Sequence, residues 1–120
     1  MLAAANALIA LVALLHLYFL VLEMFFWTKP LGLKIFRQSR EKAEASAALA
    51  ANQGLYNGFL AVGLIWGLMH PDPDDGFEIK IFFLLCVVAA GLYGGYSVSK
   101  RILFVQALPA VLALVFLYLS

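Results

Sequence analysis

His16 and Glu23 are the residues of this sequence best placed to do chemistry, because both interrupt an apolar run from Ala13 to Trp27. Seven residues is close to two helical turns, so the two side chains share a face, about 10.5 Å apart along the axis. An ionisable group in hydrocarbon costs several kcal/mol unless it is neutralised, paired or hydrated, so each needs a reason to be there. A carboxyl and an imidazole are the usual general acids and bases, with Tyr93 or Tyr96 as a further donor. One metal ion does not fit the pair. Ligand atoms lie within about 2–2.3 Å of a bound ion, and an offset of two turns is too wide. No H-x-x-x-H or E-x-x-H pair occurs on any predicted helix, and no cofactor motif or nucleophile–base pair can be named. A small ligand spanning the two groups fits the spacing better, and the residues admit either binding or acid–base chemistry.

The elements that hold these residues follow from composition. Of 120 residues, 65% are hydrophobic and 12% charged, with a mean hydropathy of +0.97. A soluble domain this small has too much surface for its volume to hide so much apolar side chain, so an integral membrane protein is expected. The first apolar stretch has no Lys or Arg ahead of it and exceeds the core of a signal peptide, so it is read as a span. Cys86 is the single cysteine, which rules out an intrachain disulfide and reads as a small core residue. A net charge of +1, with no basic aromatic surface, gives no ground for nucleic-acid binding.

The pattern predicts an all-α, four-helix integral membrane bundle in one domain, 1–120, with spans at about 2–27, 47–69, 77–99 and 102–119. Thr28, Lys29 and Pro30 stop the first helix. Ser39 is placed to cap the second, which then starts ahead of its span. Pro109 should kink or loosen the fourth. The run His70 to Gly76 is a turn with two prolines and three aspartates; it lacks the alternating ligands of a calcium loop. Five Lys or Arg residues lie in the first connector and two in the third, against Lys80 alone for the second. The basic connectors are therefore expected in the cytoplasm and both termini outside, in the cell's inner (plasma) membrane. The cytoplasmic cations have anionic lipid as their natural partner.

Depth then sorts the polar residues. At 1.5 Å per residue, Glu23 lies about 6 Å below the cytoplasmic boundary and His16 about 16 Å. Asn52 and Gln53 fall at about 8 Å, with Tyr56 and Asn57 a turn deeper, Tyr93 at about 9 Å, Tyr96 shallow, and Gln106 at about 6 Å. This convergence predicts a polar pocket open to the cytoplasm, with His16, Glu23, Asn52, Gln53, Tyr56, Asn57, Tyr93, Tyr96 and Gln106 as candidate lining. The bland alternative for the amides is interhelical hydrogen bonding. Gly54/Gly58, Gly63/Gly67 and Gly91/Gly95 are small-xxx-small pairs suited to close helix approach, within the chain or in a homodimer.

The segments His16-Leu17-Tyr18 with Glu23-Met24-Phe25, and Ala50 through Leu60 (AANQGLYNGFL), resemble a small integral-membrane family of bacteria and fungi, domain of unknown function thirteen-zero-four. The resemblance spans nearly the whole chain and implies a four-span protein of about this length. It implies no activity. The leading expectation is a pocket that binds or converts a small amphipathic molecule. A second is a proton-coupled exporter, since the chain is similar to small multidrug transporters in length, span number and a carboxylate on the first helix. Their antiparallel dimers have little charge bias, however, and their signatures are absent. A third is a structural protein whose polar layer only fixes helix register.

Overall fold

The computed structural model describes residues 1–120. They form α1 (Leu2–Phe25), α2 (Pro30–Ile35), α3 (Arg40–Met69), α4 (Pro73–Ser97), α5 (Lys100–Ile102), a π-helical segment (Leu103–Ala107) and α6 (Leu108–Leu119). The all-helical expectation holds. Three stretches, Leu2–Phe25, Pro73–Ser97 and Lys100–Leu119, are long and apolar enough to cross a membrane. The longer α3 is not among them, because its first half mixes charges and amides with small residues. Two compact units are present, Met1–Leu14 with Leu60–Ser120, and Leu15–Phe59.

In the first unit the core draws Ala5, Ile9, Val12 and Ala13 from α1, Leu64 from α3, Leu84 and Val87 from α4, and Ala110, Ala113 and Leu117 from α6. Their spacings of three and four residues put one stripe of each helix inward. At Gly91 a Cβ would stand 2.7 Å from the Ala107 Cβ and 2.8 Å from its backbone nitrogen, so α4 meets the π segment almost backbone to backbone. That segment is the loosened turn expected near Pro109. The Leu108 N–H donates to the Leu103 carbonyl five residues back, directly ahead of a proline that has no N–H for the Val105 carbonyl.

Helix α4 begins at Pro73, four residues before the expected Phe77. The Asp72 carboxylate accepts from the Asp74 and Asp75 amides at 2.9 and 3.4 Å, and proline is tolerated in a first turn whose N–H groups are unpaired anyway. Gly76 is thus helical rather than part of the turn. A Cβ there would come within 3.0 Å of the Gly67 carbonyl oxygen. Lys80, assigned to a connector by its position in the sequence, lies instead eight residues into α4 and is buried at 8% exposure.

The second unit closes around the end of α1. Gly32 is buried because a side chain there would run into the Phe26 carbonyl, so α2 turns back tightly on α1. Trp27 packs on Phe36 with centroids 4.7 Å apart, and its indole N–H donates to the Ser46 hydroxyl at 3.2 Å. Arg37 adopts a left-handed φ of 51°, and the Gln38 N–H reaches the Leu33 carbonyl at 3.2 Å, closing α2 with a Schellman turn. Ser39 then caps α3, its hydroxyl accepting from the Lys42 N–H at 3.1 Å, as its sequence context predicts.

Candidate functional site

The Glu23 carboxylate is the centre of the second unit's polar cluster. Gln53 and Asn57 stand four residues apart on α3 and so project from one face. The Gln53 Nε2 donates to Glu23 Oε2 at 2.6 Å, and the Asn57 Nδ2 donates to Oε1 at 2.5 Å. Each carboxylate oxygen therefore has its own amide donor, and no cationic side chain pairs with it. Hydrogen bonds to a charged acceptor are roughly twice as strong as neutral ones, which offsets part of the desolvation of a group only 3% exposed.

Glycine makes the approach feasible. Between the two amides lies Gly54, where a Cβ would stand 2.7 Å from Met24 Cγ, 3.2 Å from Glu23 Cβ and 3.3 Å from the Leu20 carbonyl oxygen. Gly58, one turn on, faces Leu20 Cδ1 at 2.7 Å. The other two glycine pairs also face this chain's own residues: Gly63 meets the Phe83 ring, Gly67 the Lys80 stem, and Gly95 the Leu103 side chain.

The remaining candidates divide by place. His16 is buried at 1% exposure, with Phe19 edge-on at 5.8 Å. Asn52 and Tyr56 are exposed on α3, and Gln53 is exposed along its outer edge even as it holds Glu23. Tyr93, Tyr96 and Gln106 belong to the other unit. The two tyrosines are exposed at 72% and 91%, and Gln106 is half-buried within the π segment.

One polar pair escaped sequence reasoning. The Lys80 Nζ donates to the Asn6 Oδ1 at 2.9 Å inside the first unit. The signal was present in the sequence: Lys80 precedes Leu84, Val87 and Gly91 by four, seven and eleven residues, on the same buried stripe. Gly67 leaves space for its methylene stem, since a Cβ there would lie 2.9 Å from Lys80 Cγ.

These features define an all-helical chain with three helices able to cross a membrane and a buried carboxylate clamped by two amides. The chain belongs to the family described as protein of unknown function, DUF1304, whose match covers residues 10–118. It is also similar to an uncharacterized protein, YpaA, of Lactococcus lactis subsp. lactis (strain IL1403), with 33% identity over 107 residues and 88% of each chain covered. No solved structure matches it.

Proposed function

We propose that this chain is a multi-pass protein of the cell's inner membrane in which the Glu23 carboxyl binds the polar end of a small amphipathic molecule. The distribution of apolar side chains supports the membrane. Leu14, Phe82, Leu92 and Phe104 are more than half exposed, whereas the first unit's core includes Ala5, Ala13, Ala110 and Ala113. Large apolar residues outside and small ones between helices is the arrangement suited to lipid. In this reading α3 is the fourth span, from about Ala47 to Met69. With Lys80 inside α4, the acidic turn has no cation to set against the seven in the other two connectors. That supports cytoplasmic basic connectors and external termini.

The observation that carries the reading is a carboxylate, buried with two amides and no cation, where an uncharged glutamine could pair with the same two amides once one of them turned its oxygen inward. A residue needed only to fix register has no use for the cost of ionisation. Glu23 retains the capacity to carry a charge or a proton. Gln53, Asn52 and Tyr56 form the exposed edge from which a ligand would reach Oε2 in place of the Gln53 amide. His16, on the same stripe of α1, would contact the ligand's other end.

The test is native mass spectrometry of wild type and Glu23→Gln purified from membranes in a mild detergent. A small molecule retained by the wild type and lost from an equally stable variant is the expected result. Equal retention by both, or a loss of stability alone, would assign Glu23 a structural role. Proton-driven cation uptake into vesicles that disappears with Glu23→Gln would favour the exporter instead.

A further inference from the structure

The hairpin of α3 and α4 carries a groove that the Glu23 reading does not use. Trp66 of α3, His70 just beyond its end, and Asp75, Glu78, Phe82 and Phe83 of α4 line an open groove of about 480 Å³. Ligand sites are usually about 300–1,000 Å³. Its floor is aromatic. Gly63 lets the Phe83 ring lie directly on α3, and Phe82 meets that ring edge-on with centroids 5.2 Å apart. Trp66 and His70 form a second edge contact at 6.3 Å, and the imidazole is anchored by the Asp72 N–H, which donates to Nδ1 at 3.1 Å.

The rim is negative and uncompensated. Asp75 and Glu78 are three residues apart and share a face of α4. Both are exposed, and neither carboxylate takes part in an ion pair or side-chain hydrogen bond within the chain. The nearest cation in sequence, Lys80, is turned inward to Asn6.

We propose that this groove binds an amphipathic organic ammonium ion, its charged head between the Asp75 and Glu78 carboxylates and the Trp66 ring, its hydrocarbon body on Phe82 and Phe83. Aromatic faces beside carboxylates attract alkylated ammonium groups through the ring quadrupole and the opposite charge together. A hard metal ion needs six to eight converging oxygens if it is calcium, and this groove offers only two carboxylates. An anion meets the wrong charge, and a neutral apolar solute leaves both carboxylates unused.

N-butylpyridinium, an organic cation that quenches tryptophan fluorescence, is the probe, titrated into full-length protein in the uncharged detergent dodecyl maltoside. The Trp27→Phe variant assigns the signal to Trp66, since the chain has two tryptophans. Saturable quenching is expected, weakened about tenfold in the Asp75→Asn/Glu78→Gln double variant and unchanged in Glu23→Gln. Asp72, which caps α4, is left intact. Should the double variant fold poorly, Glu78→Gln alone is expected to weaken binding at least about threefold. Quenching that never saturates, or that ignores both carboxylates, overturns the proposal. Loss of binding in Glu23→Gln also overturns it, by assigning the cation to the Glu23 site. Competition by added phosphatidylethanolamine, whose headgroup carries an ammonium, would support the site and assign its source to a lipid rather than to a free cation.

Discussion

The backbone of Gly54 lies against the side chain of Glu23, so close that a Cβ at position 54 would stand 3.2 Å from the Glu23 Cβ. This contact, rather than any long side chain, brings α1 and α3 near enough for short amides to reach a carboxylate in the second unit.

The glycines should rank by what opposes an added methyl. Gly91→Ala meets the Ala107 backbone nitrogen and Cβ, which cannot rotate away, and should cost about 1–3 kcal/mol. Gly58→Ala meets only the end of Leu20 and should cost under about 1 kcal/mol. Thermal unfolding in detergent measures both. A larger loss at Gly58 would contradict the packing described.

The two amides should not be equivalent. Asn57 is buried and Gln53 exposed. Asn57→Ala leaves a buried carboxylate oxygen unsatisfied, at about 1–3 kcal/mol, whereas solvent can replace Gln53 and Gln53→Ala should cost about 1 kcal/mol or less. A double-mutant cycle with Glu23→Ala isolates each coupling. Equal effects at the two positions would contradict the difference in burial.

Asp72→Ala should destabilise by about 1 kcal/mol, because it frees two amides at the start of α4. Asp74→Ala is the control and should have an effect within about 0.5 kcal/mol. Hydrogen exchange at the first turn of α4 reads the cap directly. Unchanged protection in Asp72→Ala would place the helix start elsewhere.

Lys80→Gln should leave membrane orientation unchanged, since a cation buried in α4 is not a connector charge. Replacing Lys29, Lys34, Arg37, Arg40 and Lys42 together with Gln should produce mixed orientation. Reporter fusions at the C-terminus read the outcome. Inversion by Lys80→Gln alone would refute the assignment.

The legible parts of this molecule were those where a residue breaks its local pattern. Glu23, Gln53 and Asn57 stand out as polar groups in predicted spans, and the neighbouring glycines indicate that a second backbone comes close. Ser39 is legible as a cap because a capping side chain acts over three residues. The start of α4 was obscured by Pro73 and Gly76, which favour a turn in isolation and are helical here because Asp72 caps the helix ahead of them. Lys80 was misplaced among the connector charges because its position near the start of a predicted span says nothing of its facing, and α4 turns it inward onto Asn6. Tyr93 and Tyr96 share a sequence depth with the amides, but depth carries no information about facing, and both point outward.

The π-helical stretch Leu103–Ala107 has a consequence for how this chain could vary in length. A ring closed over five residues instead of four holds one residue more than the regular helix on either side. Removing exposed Phe104 would convert that ring to an ordinary turn and leave Ala107, Ala110 and Ala113 in phase with their partners. The same deletion at Leu112 would rotate Leu117 off the core by about 100°. Insertions and deletions among natural variants should therefore collect at this turn and be purged from the rest of α6.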